Sequence, residues 1–394
     1  MPKSDMLSLF FIASAAVLAP LLAAATHKRI PDVVWLLILG VVIGPSGCGI
    51  AEVSHSIDLF REVGMGMLFL IAGTEINVSQ VRAKPGRVAI GVWLVCCAVA
   101  TGVAYAVVPP TKFASSIALG IALTSTALGT LLPILIEEKL IGQPMGNAVL
   151  IHGAIGELAP VLAMSILLSS RDPGLSTVIL LIFVITTAVA IVVPTRFILR
   201  HPAMGRVILM GSQTPSKTLM RVVIFILTGL MALSSVLDLD IVLGAFTAGI
   251  IVRALAPVNF TLVEKELRTL GFSFLIPIFF VTSGMTISLD AVIKQPWMLL
   301  FFVAAILVAR GVPVMIAERT IGSVQRMGWS DSARLGLYAA SGLPIIVAVT
   351  EVAVAGKIMP SDIGSLLVAA GGASVLLFPL LAHLLGQRAT RPKA

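Results

Sequence analysis

The sequence predicts an all-α polytopic membrane protein of thirteen transmembrane helices, arranged as an inverted-topology repeat (6+1+6) with two crossed discontinuous helices. Three observations predict it. The 394 residues are 58% hydrophobic and only 12% charged, about half the charged share of a soluble domain. Apolar runs long enough to span a bilayer recur along the whole chain. Short patterns from the first half also return in the same order in the second half, and one matched pair of spans, one in each half, carries Gly and Pro in mid-span.

The runs are 6–26, 31–46, 58–77, 87–108, 114–136, 146–169, 175–198, 219–236, 240–256, 267–288, 296–317, 331–355 and 361–386. No Gly, Ser, Pro or charge-rich linker separates them, and no gap is long enough for a soluble domain. The net charge of +8 would suggest nucleic acid in a soluble protein. Here the membrane accounts for it. With the N-terminus outside, the inner loops hold twenty of the 27 Lys and Arg residues, the outer loops hold six, and Arg310 remains inside a span. A wrong number of spans would scramble that asymmetry, so the expectation is an N-out, C-in protein of a bacterial inner membrane. The partner is then the lipid bilayer, with no nucleic acid. Run 6–26 has a nearly neutral amino end (Lys3 beside Asp5) and is followed by His27, Lys28 and Arg29. That suits a retained first span better than a cleaved leader. Cys48, Cys96 and Cys97 show neither metal-ligand nor disulfide spacing and read as packing residues.

The repeat is read from three matches. Ser116, Leu119, Gly120 and Ser125 recur as Ser332, Leu335, Gly336 and Ser341, 216 residues on. Phe69, Gly73, Ile76 and Asn77 match Phe280, Gly284, Ile287 and Ser288 at an offset of 211. Asp32 and Gly40 correspond to Asp240 and Gly249. Paired runs are seven apart, an odd number, so each pair crosses the membrane in opposite senses. This divides the chain into a first repeat of about 6–169, a linker helix of about 175–198 and a second repeat of about 219–386. Small-residue packing between helices is the competing explanation, but it would not preserve order and offset. Inverted repeats point to a secondary transporter.

Run 114–136 carries Thr124, Ser125, Thr126, Gly129, Thr130 and Pro133 in its middle; run 331–355 carries Ser341, Gly342 and Pro344. Proline removes a donor and clashes with the preceding turn, and glycine relaxes the backbone. Two such breaks at equivalent repeat positions predict unwound segments that cross near the midplane and expose carbonyls and helix ends to a cation.

Glu157 lies mid-span in GNAVLIHGAIGELAPVLAMSIL, and Arg310 lies mid-span in FFVAAILVARGVPVMIAE. Intramembrane charges are costly and mark transport routes. Arg310 stays charged and needs an anion, for which Glu157 is the expected partner. His152, a turn and a half before Glu157 on a different helix face, reads as polar packing, with a place along the ion pathway as its alternative. Asn147 and Ser283 are further pathway candidates. Glu75 closes its span and is expected to pair with an arginine; Glu351 is a candidate for an outer vestibule.

FLIAGTEIN (69–77), TSTALGTLLPIL (124–135), GAIGELAPVL, LGAFTAGIIV (243–252) and PIFFVTSGMTISL (277–289) resemble the monovalent cation:proton antiporters, in the branch holding sodium/proton exchangers and the membrane parts of potassium-efflux systems. The resemblance runs through nearly the whole chain. It implies a thirteen-span homodimer with a mobile core domain, no cofactor, and transport of H+ and Na+ or K+. It also implies a cation site at the acid of the sixth span, here Glu157, with Arg310 where relatives carry lysine or arginine. One departure stands out: relatives usually pair the acid with Asp, Asn or Gln, whereas Gly156 precedes it here.

The expected chemistry is therefore a monovalent cation or a proton at Glu157, never both, with Thr124, Ser125, Thr126 and unwound carbonyls completing an oxygen cage. Gly156 offers no second carboxylate, so the exchange is expected to be one-for-one and electroneutral. The alternatives are a carrier of small organic anions with a related fold, or an ion channel. The chain carries no nucleophile triad, metal motif or phosphate loop, so it is not expected to be an enzyme.

Overall fold

The computed structural model describes residues 5–26, 30–75, 83–107, 113–167, 174, 178–187, 189, 218–237, 239–255 and 260–390. Most of the expected linker helix lies outside these residues, as do the loop cations Lys28, Arg29, Arg82, Lys112, Arg171, Arg196, Arg200, Arg206 and Lys217. The described residues form helices throughout. An apolar segment in lipid must satisfy its own backbone polar groups, and a helix does so within one segment. Eight helices among the described residues are long and apolar enough to cross a membrane, and three shorter apolar ones accompany them.

The chain divides into two compact units. The first comprises Met1–Asp58, Asn77–Met164 and Phe280–Ala394; the second comprises Leu59–Ile76 and Ser165–Phe279. The first unit holds α1 (Asp5–Ala25), α2 (Asp32–Ile43) and the start of α3 (His55–Glu75). It continues with α4 (Lys84–Val107), α5 (Phe113–Leu123), α6 (Leu128–Glu137) and α7 (Pro144–Leu167). The second unit takes the rest of α3, the short helix α8 (Val178–Thr187), α9 (Thr218–Val236), α10 (Ile241–Leu255) and α11 (Phe260–Leu270). Helix α12 (Ile276–Met285) straddles the division. The remainder of the first unit is α13 (Leu289–Lys294), α14 (Pro296–Ile306), α15 (Val312–Thr320), α16 (Trp329–Ala339), α17 (Leu343–Ala355) and α18 (Ser361–Thr390).

Two long helices widen into a π turn, at Gly271–Leu275 and at Leu307–Gly311. Each turn stands two residues before a proline, Pro277 or Pro313. A proline ring excludes the usual hydrogen bond to the preceding turn. The π turn reroutes the ladder, with Ile276 N–H reaching Gly271 O and Val312 N–H reaching Leu307 O. Such bulges often occur at functional sites, and the second one carries Arg310.

Two other helices stop completely. Helix α5 ends at Leu123 and α6 begins at Leu128, with Ala127 in extended conformation (φ −110°, ψ 97°). Helix α16 ends at Ala339 and α17 begins at Leu343, with Pro344 in its first turn, where a missing N–H costs nothing. The breaks lie against each other. Ala127 N–H donates to Ser341 O (2.7 Å), Ser125 Oγ to Gly342 O (3.1 Å) and Thr126 Oγ1 to Ala339 O (2.5 Å). Each break thus satisfies backbone groups that the other leaves free. A Cβ on Gly342 would come within 2.4 Å of Ser125 Oγ, so only glycine admits this approach.

Backbone-to-backbone packing elsewhere runs through glycine. In the first unit a Cβ on Gly40 would meet Val281 O at 2.1 Å, and one on Gly284 would meet Leu37 O at 2.3 Å. In the second unit a Cβ on Gly73 would meet Phe246 O and one on Gly249 would meet Leu70 O, each at 2.1 Å. The second unit is also tied by ion pairs: Arg268 binds Glu75 (2.8 Å) and Glu264 (3.0 Å). Arg268 is therefore the arginine at the end of α3 that the sequence calls for.

Candidate ion-binding site

Glu157 lies on α7 and is 4% exposed. Its Oε1 accepts a hydrogen bond from Leu128 N–H at 2.6 Å. Leu128 opens α6, so the carboxylate meets the free N–H groups and positive dipole end of a half-helix. Thr126 N–H binds Gly156 O at 3.0 Å, which fixes the same α5–α6 break a second time against this turn of α7. A Cβ on Gly153 would lie 2.2 Å from Leu128 Cδ2. The small residues of GAIGE are thus what let α7 come this close to the break.

Arg310 is fully buried. Nε donates to Thr126 Oγ1 (3.2 Å), Nη2 to His152 O (2.7 Å) and Nη1 to Cys96 Sγ (3.8 Å). The expectation of a direct partnership with Glu157 is corrected here: the hydrogen bonds of the guanidinium go to a hydroxyl, a carbonyl and a thiol. Geometry gives the reason. A Cβ on Gly156 would sit 2.6 Å from Arg310 Nη2 and 2.5 Å from Thr126 Oγ1. The guanidinium occupies the volume a side chain at position 156 would need. The absent side chain beside the acid is therefore space for Arg310.

The predicted hydroxyls do gather at the breaks. Thr126 Oγ1 donates to Ala339 O and accepts from Arg310. Ser125 Oγ shares its single hydrogen between Ala122 O (2.8 Å) and Gly342 O (3.1 Å). Thr124 Oγ1 donates to Ile121 O (3.0 Å) and lies 3.6 Å from Cys97 Sγ. Their hydrogens thus point at carbonyls, leaving oxygen lone pairs as the groups available to a cation. Gly129 stands in the first turn of α6, and Ser341, Gly342 and Pro344 stand at the α16–α17 break. Asn147 is half-buried near the start of α7. Ser283 bonds elsewhere, donating to Glu351 Oε1 on α17 at 3.0 Å. Among the described residues no three His, Cys, Asp or Glu side chains cluster as a metal centre would.

Two features escape the sequence reading. Glu318 on α15 is fully buried and lies 2.7 Å from His152 Nε2. Its place before Arg319 and Thr320 makes it look like the polar end of a span. The hydrogen-bond partner of His152 is thus a buried carboxyl group. Second, Glu138 at the end of α6 binds Arg334 (2.8 Å), Tyr338 (2.9 Å) and His383 (2.9 Å). It thereby ties α6 to α16 and α18.

A helical membrane protein with a buried acid beside two abutting helix breaks falls in the class of secondary transporters. The chain belongs to the sodium/hydrogen exchanger family: the family described as "Sodium/hydrogen exchanger, transmembrane" matches residues 12–383. Members of this family are transporters, not enzymes. The putative Na+/H+ antiporter YjbQ of Bacillus subtilis is 23% identical over 100% of this chain and 65% of its own length. The Na+/H+ antiporter NhaS5 of Synechocystis is 27% identical over 83% of this chain and 46% of its own. The glutathione-regulated potassium-efflux protein KefC of Salmonella typhi is 26% identical over 80% and 50%. The chain thus spans about half to two-thirds of the length of these relatives. The fold matches that of the sodium proton antiporter MjNhaP1 from Methanocaldococcus jannaschii, with a TM-score of 0.66 at 17% identity over 98% of both chains.

Proposed function

We propose that this chain exchanges a monovalent cation, Na+ or K+, for H+ by alternating access at Glu157, one for one. The observation that carries the reading is the Glu157 carboxylate bonded to the first N–H of a half-helix, at the abutting breaks. A cation at Glu157 would share the carboxylate with Ser125, Thr126 and nearby carbonyls. A proton on Glu157 would remove the charge that attracts it, so the two ligands exclude one another. Arg310 serves as the compensating charge, one layer away behind Gly156. All three of its nitrogens already donate to protein acceptors, which argues against an organic anion as cargo.

The thirteen-span, inverted-repeat architecture belongs to the same proposal, and the glycine contacts support it. Gly40 against Gly284 has its counterpart in Gly249 against Gly73, which are the residues matched by the repeat. Gly120 likewise packs on Thr101 of α4, and Gly336 on Gly311 of the π turn. We further place the protein, as a homodimer, in a bacterial inner membrane, N-out and C-in.

The test is a pH-jump assay in proteoliposomes with Na+, K+ and Li+ in turn. At least one of them is expected to collapse an imposed proton gradient; collapse by none would overturn the proposal. The predicted stoichiometry has its own measurement. With ions saturating, the exchange rate is expected to be the same at zero and at imposed membrane potential, since one charge moves each way. A rate that follows the potential would rule out one-for-one exchange.

A further inference from the structure

The mechanism proposed above uses one titratable group, yet the same unit buries a second pair. His152 and Glu318 are both inaccessible to solvent, with Nε2 and Oε1 2.7 Å apart. Glu318 also accepts from Ser323 N–H at both oxygens (3.1 and 3.0 Å). His152 Nδ1 has no hydrogen-bond partner among the described residues. The pair can therefore hold one exchangeable proton. With it, as imidazolium and carboxylate or as two neutral groups, the pair carries no net charge. Without it, the pair carries a single negative charge.

Among the described residues the charged neighbours are few. Arg310 from the π turn bonds to the carbonyl of His152 itself. From α4, Ala89 and Trp93 present apolar surface to Ile151 and Ile155, Cys96 faces Arg310, and Lys84 and Arg87 are exposed. On α15, Arg319 turns toward Met327 O and the Trp329 ring. On α16, Arg334 is engaged by Glu138 and Asp331. Arg310 is thus the fixed charge between the pair and Glu157, which lies five residues along the same helix from His152, roughly 7–8 Å by helical rise.

From this charge arrangement we infer that His152 and Glu318 form a second proton-binding site, coupled through Arg310 to the occupancy of Glu157. A low-dielectric interior resists unbalanced charge. With Glu157 empty and ionised, it balances Arg310, and the pair is neutral only with its proton. With a cation or proton on Glu157, Arg310 is balanced only when the pair has released its proton. The pair fills as Glu157 empties and empties as Glu157 fills. Its proton is absent from both loaded forms, so it leaves the one-for-one exchange intact. The inference rests on the assignment of Glu157 as the cation site.

Infrared difference spectra of the purified protein, triggered by adding the transported cation at a series of pH values, test it. Either location of the proton is visible, as an imidazolium ring band or as the C=O stretch of a protonated carboxyl. Cation binding is expected to move the titration midpoint of the pair to lower pH by about one unit, roughly tenfold in proton affinity. His152→Gln and Glu318→Gln, or isotope-labelled histidine in the unmutated protein, assign the bands. A titration of the pair that is the same with and without cation overturns the inference, and that measurement needs no variant. Glu157→Gln separates the two readings. Cation binding that survives this substitution defeats the Glu157 site, whereas a Glu157 response without a response from the pair defeats only the second site.

Discussion

Glu157→Gln is expected to reduce pH-driven cation exchange in proteoliposomes to the level of protein-free vesicles. Glutamine has nearly the same shape, and its carbonyl oxygen can still accept from Leu128 N–H, the bond that anchors the native side chain. The fold should therefore survive, with thermal stability close to that of the unmodified protein. The charge does not survive. A carboxylate about 4 Å from a monovalent cation contributes roughly 4 kcal/mol at an effective dielectric constant of 20. That corresponds to about a thousandfold in affinity. Glutamine also has no titratable proton, so both ligands lose their site together. Glu157→Asp should behave differently: the carboxylate remains but is one methylene farther from Leu128, so exchange persists with weaker cation affinity. Exchange retained by a well-folded Glu157→Gln protein would remove Glu157 from the mechanism.

The second large effect concerns Gly156. In a helix interior, alanine is favoured over glycine by about 1 kcal/mol. Here a Cβ would lie 2.5 Å from Thr126 Oγ1 and 2.6 Å from Arg310 Nη2, and overpacking a dense interior costs about 1–3 kcal/mol. Arg310 cannot simply swing aside, since it is buried and bound to three groups. The steric cost wins, and Gly156→Ala is expected to lower the unfolding temperature in detergent and to impair exchange. Asn or Asp at this position, larger still, should be worse. Lysine lacks the guanidinium fork, so the penalty of Gly156→Ala should shrink in an Arg310→Lys background. Strictly additive effects in the double-mutant cycle would show that the two positions do not share this space.

The outcome at Gly156 shows how far the sequence could be read. Its glycine reads as a missing carboxylate, and the structure fills the same volume with Arg310. The partner of Arg310 was equally out of reach. The sequence offers Glu157 as the obvious anion, while a π turn forced by Pro313 and the bare backbone at Gly156 direct the guanidinium to Thr126, His152 O and Cys96. Glu318 reads as a span end because two polar residues follow it, yet the loop to Ser323 folds back and caps its carboxylate. A cue existed in hindsight: His152 and Glu318 are both polar groups close to otherwise apolar spans, and a buried polar group requires a partner.

What the sequence determined by itself was the membrane class, the helical character of the described apolar runs, the positions of the two breaks and the identities of the two mid-span charges. These follow from composition and from local backbone chemistry, in which proline, glycine and hydroxyl residues act within a turn of their own position. What only the tertiary structure decided was who meets whom: Glu157 with the start of α6, Arg310 behind Gly156, and His152 with Glu318 across 166 residues of chain. A charge in an apolar interior must find its counter-groups through space, and those groups come from helices that the linear order of the chain keeps far apart.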